Sequence, residues 1–192
     1  MHALRNSFIV LATCLSFVGC QHVARTNTPI TLDHPTDQRQ QFSLQGKIGV
    51  KTPQQTGSAF YTWIQDHDQF DIELTGILGM GKTIIEGRPG EVSLNSAKTG
   101  LITAETPEEL LERATGWIAP ITHIVSWVQG RPATSQAVTA LDDGGRIVQL
   151  DEDGWNVQLS YNDDAKLPNK MILKQALEDG KENRITMVIQ NR

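Results

Sequence analysis

A mainly β fold of the α+β class is expected of this chain on three observations. Short stretches of Val, Ile, Thr and aromatic residues alternate with polar ones, sixteen Gly and eight Pro supply turns between them, and two short helical patterns stand in the middle. Its 192 residues, 39% hydrophobic and 20% charged, suit one globular domain and are too few for two comfortable ones. The formal charge of −5 is scattered rather than gathered in blocks, which argues against a nucleic-acid partner.

Residues 1–19 read as a signal peptide: Arg5 precedes Ser7 to Val18, a short, nearly uncharged apolar stretch ending in Gly19-Cys20. That stretch falls well short of the roughly 20 residues a spanning helix needs. The ending resembles a bacterial lipobox, in which a small residue precedes the Cys that becomes the lipidated first residue, although Phe17 stands where Leu is usual. A plain secretory signal beside an incidental Cys is the alternative. Cys14 would leave with the signal and Cys20 would be consumed by acylation, so no disulfide is expected. The only added group is then covalent, N-acyl and S-diacylglycerol on Cys20, and no separate cofactor is expected. Gln21 rather than Asp after the Cys resembles a sorting signal for the outer membrane, with the domain facing the periplasm. Cleavage removes Arg5 alone among the charged residues, so the mature chain is still more acidic and must rely on acyl chains for anchoring. Residues 20–36 are polar and aperiodic, a flexible tether, and 37–192 form the domain.

Within the domain, Phe42, Leu44, Ile48 and Val50 alternate with polar residues, as do Ala59, Tyr61 and Trp63 before a turn at Asp66-His67-Asp68. Phe70, Ile72 and Leu74 fall on one face, with Asp71, Glu73 and Thr75 on the other, so one face of this sheet is wet. Lys82 to Gly87 and Glu91 to Asn95 flank the turn Arg88-Pro89-Gly90, and Leu101 to Ala104 is a sixth strand. Thr106-Pro107-Glu108-Glu109 then opens a helix: Thr as N-cap, Pro first, Glu third, with Leu110, Leu111 and Ala114 as its apolar stripe and Gly116 as its end. A second helix opens at Pro120, with Ile121, Ile124, Val125 and Val128 on one face, and Gly130 with Pro132 stops it. Strands return at Arg146 to Leu150, at Trp155 to Tyr161 after the hairpin signal Asp153-Gly154, at Lys170 to Gln175, and at Asn183 to Gln190. The count is about ten strands, forming a curved antiparallel sheet whose concave side the helices cover.

Gly76 to Thr83 satisfies the phosphate-loop pattern G-x-x-x-x-G-K-[ST], but the strand before it alternates and the residues after it are too β-branched for the helix that would hold a phosphate. No nucleotide is expected. The same segment reads better as a loop in which Gly residues surround Ile77, Leu78 and Met80, apolar side chains free to enter a bilayer or a partner's groove. The alternative folds Ile77 and Leu78 back onto the domain. There is no HExxH, no Cys/His cluster and no G-x-S-x-G, so neither a metal site nor an enzyme is expected. Asp142-Asp143, Asp151-Glu152-Asp153 and Asp163-Asp164 read as solvated turns. Trp63, Trp117, Trp127 and Trp155 fit core packing equally well or, with Phe70, Ile72 and Leu74, the wall of an acyl-chain cavity.

Gln45-Gly46-Lys47-Ile48-Gly49-Val50, Ser58-Ala59-Phe60 with Trp63 and Gln65, Phe70 to Gly79, the Pro107-Glu108 helix leading to Thr115-Gly116-Trp117, and Trp127 to Pro132 together resemble the LolB family of outer-membrane lipoproteins. The resemblance covers nearly the whole mature chain. It implies an unclosed antiparallel half-barrel of about eleven strands, with short helices as a lid over an apolar cavity. It also implies a non-enzymatic role: accepting lipoprotein cargo from a LolA-like periplasmic carrier and inserting it into the outer membrane, as a monomer in contact with outer-membrane lipid. Leu78 matches the family's exposed loop Leu, with Ile77 beside it. The family also implies a helix ahead of Phe42, for which Asp37 to Gln41 is short. Two other functions compete: a membrane-anchored lipoprotein that binds a hydrophobic ligand without a carrier, and an envelope hydrolase.

Overall fold

A computed structural model of the protein describes residues 41–76 and 81–192. Eleven strands follow one another as β1 (Gln41–Lys51), β2 (Thr56–Asp66), β3 (Gln69–Thr75), β4 (Lys82–Arg88), β5 (Glu91–Ser96), β6 (Gly100–Ala104), then, beyond the helices, β7 (Val138–Leu141), β8 (Ile147–Glu152), β9 (Trp155–Ser160), β10 (Lys170–Ala176) and β11 (Glu182–Asn191). The helices α1 (Pro107–Thr115) and α2 (Ile121–Trp127) lie between β6 and β7. One sheet holds every strand in the order β6-β5-β4-β3-β2-β1-β11-β10-β9-β8-β7, and each neighbouring pair is antiparallel. The sheet is not closed, because β6 and β7 each keep one unpaired edge.

Period-2 alternation explains most of the strands. Along β2, Ala59, Tyr61, Trp63 and Gln65 are buried while Phe60, Ile64 and Asp66 are exposed, and along β11 Ile185, Met187 and Ile189 all turn inward. The structure adds one strand to the ten read from the residues. All four residues of β7 are exposed, so this edge strand carries no burial alternation by which a sequence would reveal it. At the chain's start, Gln41 already pairs with Asp66 as part of β1; the remainder of the segment 37–41 lies outside the described residues.

The first helix forms as its capping residues require. Thr106 Oγ1 accepts from Glu109 N at 3.2 Å, Glu109 Oε2 accepts from Glu105 N at 3.0 Å, and Gly116, at φ 77°, closes the helix by donating its N–H to Glu112 O. Glu108 Oε1 ties α1 to the start of α2, accepting from both N and Oγ1 of Thr122, at 2.8 and 2.9 Å.

Two apolar clusters form under the helices. The larger joins Ile124, Trp127 and Val128 to Leu44, Leu150, Val157, Met171, Leu173 and their neighbours on the inner face of the sheet; the smaller joins Leu110 to Val92 and Ala104. That second cluster is completed by Phe70, Ile85, Leu94 and Ile102 at its margin. Close packing of β1 on β11 depends on Gly46, which sits at a shift in the register between these strands. A Cβ there would stand 1.9 Å from Val188 O, a backbone atom with nowhere to go. Gly46→Ala is therefore expected to cost about 3 kcal/mol, at the upper end for overpacking, read as a lowered urea midpoint with an unchanged slope. A stability within 0.5 kcal/mol of the parent would show that the two strands separate freely there.

Candidate functional site

Between the two clusters the inner face of β1 to β5 and β11 does not meet the helices, and the gap is an apolar cavity of about 250 Å³. This is slightly below the range of about 300–1,000 Å³ common for ligand pockets. Its sheet wall includes Ile48, Tyr61, Trp63 and Met187, and its roof is Leu110, Leu111, Ile121 and Ile124, with Trp117 in the link between the helices. Alternation aims Phe70, Ile72 and Leu74 into the same wall, all three only half-buried because the cavity lies in front of them. Gly87, paired with Phe70 across β3 and β4, leaves the room that the Phe70 ring occupies, since a Cβ on Gly87 would stand 2.1 Å from the ring. A sequence shows an interior strand Gly of this kind only as a possible close approach.

Among the described residues no charged side chain lines the cavity. Burial pushes the Tyr61 hydroxyl up to about 12 even against the nearby Arg192 guanidinium, so it remains neutral and donates to Val188 O at 3.4 Å. A wider groove of about 510 Å³ shares Trp63, Phe70 and Ile72 with the cavity and opens beside Arg88 and Glu105.

Of the aromatic and aliphatic candidates, Trp63, Phe70, Ile72, Leu74 and Trp117 thus come together in one wall, while Trp127 and Trp155 lie outside it. Trp127 is fully buried in the larger cluster, and its Nε1 donates to Glu152 Oε2 at 2.7 Å. Trp155 is buried at the start of β9 and borders a separate, polar hollow at the β8–β9 turn. Cys20, Ile77 and Leu78 fall outside the described residues. Their neighbours Gly76 and Gly81 both hold left-handed backbone, at φ 85° and 77°, and Thr75 pairs with Lys82 across the connection they bound.

The end of the phosphate-loop pattern lacks the helix such a loop requires. Lys82 and Thr83 begin a strand rather than a helix, Lys82 Nζ reaches Glu73 Oε2 at 2.6 Å, and Thr83 turns inward. Among the described residues no group of three or more His, Cys, Asp and Glu could hold a metal ion.

Glu152 corrects the reading of Asp151-Glu152-Asp153 as a solvated turn. It closes β8 as an inward residue, two after Leu150, and is only 4% exposed. Its carboxylate accepts from Trp127 Nε1, from Ala133 N at 3.0 Å and from Thr134 N. Burial works to raise its pKa, but the hydrogen bonds from Thr134, Trp127 and Ala133 outweigh it and hold the carboxyl below its ordinary value. Inward parity with Leu150 was the sequence signal for this residue, and the acidic neighbours on either side masked it. Nearby, His123 stacks on Trp127 with ring centroids 5.7 Å apart and contacts Asp153 Oδ2 at 3.2 Å, while Arg192 Nη2 donates to Val128 O at 2.7 Å and Pro168 O at 2.5 Å. The α2 end of the roof is thereby fastened to the sheet by polar contacts as well as by packing.

An open antiparallel sheet with a helical roof over an apolar cavity can hold apolar chains. The family model described as outer membrane lipoprotein LolB matches residues 40–191, nearly all of that sheet and roof. The chain belongs to the LolB family. Among its relatives, the outer-membrane lipoprotein LolB of Stutzerimonas stutzeri (strain A1501) is 39% identical over 153 residues, covering 78% of this chain and 72% of that protein. LolB of Pseudomonas fluorescens (strain Pf0-1) is 40% identical over 167 residues, covering 83% of this chain and 81% of its own. LolB of Pseudomonas putida (strain F1) is 40% identical over 154 residues, with 78% and 73% covered. Membership in LolB places the chain at the outer membrane as a lipoprotein, and the eleven-stranded unclosed sheet is the architecture the resemblance led us to expect.

Proposed function

We propose that the cavity between the sheet and the two helices is the berth for the acyl chains of lipoproteins, which the LolB family receives and inserts into the outer membrane. Cargo arrives from a LolA-like periplasmic carrier, its acyl chains pass from one apolar cavity to the other, and the bilayer is the final sink. No nucleotide is consumed and no bond is broken, so the protein acts as a transfer factor rather than an enzyme. Movement is downhill because each successive environment removes more hydrocarbon from water, at about 0.8 kcal/mol per buried CH₂. Acyl groups on Cys20 hold the monomer at the membrane on its periplasmic side, and Leu78, with Ile77 beside it, touches the lipid surface where the cargo leaves.

The observation that carries this reading is the uncharged cavity itself: a lining of aliphatic and aromatic side chains solvates hydrocarbon and gives a charged ligand no counter-ion. To test it, the full chain carrying Cys20→Ala is mixed with a matched carrier loaded with a radiolabelled lipoprotein and then re-isolated. The label is expected to move to this chain. Label that remains on the carrier, with the chain folded, would refute the receptor role and leave a lipoprotein that binds some other apolar ligand.

A further inference from the structure

We propose that Trp117 is the residue by which this cavity selects acyl chains joined through a carbonyl, its indole N–H donating to an ester or amide oxygen of the bound lipid. The inference rests on the cavity being an acyl-chain site and adds the chemistry by which the linkage is read.

Gly116 ends α1 in left-handed backbone, and the chain turns there so that the next residue, Trp117, enters the cavity wall. Its Nε1 is shielded from solvent and has no acceptor among the described residues. Two of the other three indoles have acceptors within the protein. Trp63 Nε1 donates to Gln65 Oε1 at 2.9 Å and Trp127 Nε1 to Glu152 Oε2 at 2.7 Å. A buried donor without a partner is a real cost, and buried polar groups are almost always satisfied, so an orphan in a cavity wall points to a ligand that supplies the acceptor.

The rest of the lining narrows what that acceptor can be. Thr115 Oγ1 already donates to Leu111 O at 2.7 Å, and the Tyr61 hydroxyl is committed to Val188 O. Ser58 is exposed and Gln55, at the same margin of the lining, is only half-buried, so water serves both. With no charged side chain among the described residues of the wall, a free fatty-acid carboxylate would be buried without a counter-ion. A neutral carbonyl brings lone pairs and no proton, which is what one unpaired N–H in an apolar wall can satisfy. Acyl chains joined by ester or amide carry that group at their head; the same hydrocarbon joined by ether lacks it.

The test compares two probes of equal chain length, 1,2-dioctanoylglycerol and its dialkyl ether counterpart 1,2-dioctylglycerol, binding to the full Cys20→Ala chain with Trp117 or with Trp117→Phe. The shorter ring loses packing toward both probes alike. The hydrogen bond is lost toward the ester alone, so Trp117→Phe is expected to weaken the diester about threefold to tenfold more than the diether, the range of one neutral hydrogen bond. In the parent chain the indole N–H resonance of Trp117 is expected to move on binding the diester and to stay near its free position with the diether. Equal weakening of both probes, with no resonance shift peculiar to the ester, would leave the cavity as an acyl site and overturn the role of the indole. Failure of the diester to bind the parent chain would overturn the cavity reading and this inference with it, whereas binding of the diester without the diether would support selection through the carbonyl.

Discussion

Leu78→Glu is expected to leave cargo uptake intact while lowering insertion into lipid vesicles by about tenfold or more, from the roughly 3 kcal/mol that an acidic side chain costs inside hydrocarbon. The separation of effects follows from the layout. On the proposed reading uptake depends on a cavity whose described walls come from β1 to β5, β11 and the helices. Folding is expected to be spared as well, since β3 and β4 are registered through Phe70 to Thr75 against Lys82 to Gly87, and Gly76 and Gly81 supply the positive φ angles that bound the connection. On the proposed reading, a charge at residue 78 is therefore expected to act on contact with lipid and to spare the cavity. The assay measures two quantities on one preparation: label transferred from loaded carrier to the full chain, then label transferred onward to vesicles. A folded variant that inserts cargo at the parent rate would remove Leu78 from the mechanism and leave release to the bilayer's own affinity for acyl chains. An Ile77→Glu companion separates a single contacting residue from a tip that works as a unit.

Much of the architecture could be read before any coordinates because alternation and burial coincide in most strands. Phe70, Ile72 and Leu74 face one way by parity alone, and they line the cavity. The first helix was legible through its ends, since Thr106, Pro107, Glu109 and Gly116 each meet a distinct need of the helix backbone. What escaped the sequence depends on which parts of a curved sheet the helices touch. Trp127 and Trp155 have the same pattern signals as Trp63 and Trp117. Trp127 is part of the roof itself and Trp155 opens β9, both buried in packed core, whereas Trp63 and Trp117 border the gap between sheet and helices. The four residues of β7 escaped for the opposite reason, an exposed edge strand having no inner face to reveal it. The orphan donor of Trp117 could not be foreseen, because the absence of an acceptor is a property of the assembled wall.

Glu152→Ala is expected to give the largest loss of stability among the polar changes. It leaves Trp127 Nε1, Ala133 N and Thr134 N without the acceptor they share, and each buried donor left unmade costs about 1–3 kcal/mol, so a total near 3 kcal/mol or more is expected. The loss falls on the fastened end of the roof, so binding of an apolar probe in the cavity is expected to weaken along with the unfolding midpoint. Acid offers a gentler version of the same change, with a definite sign. Because the carboxyl is held below its ordinary value in the folded chain, its contribution is fully present above about pH 4.5 and is lost as pH falls through the lowered folded value. Comparing the parent with Glu152→Gln isolates that group, since Asp66 and Asp142, whose values are also lowered by their hydrogen bonds, titrate in both chains and cancel. Urea midpoints measured from pH 6 down to pH 3 are expected to converge as the Glu152 carboxylate protonates. A gap between the two chains that stays constant over that range would mean the carboxylate's charge contributes nothing to holding α2, and that shape alone fastens Trp127 to the sheet.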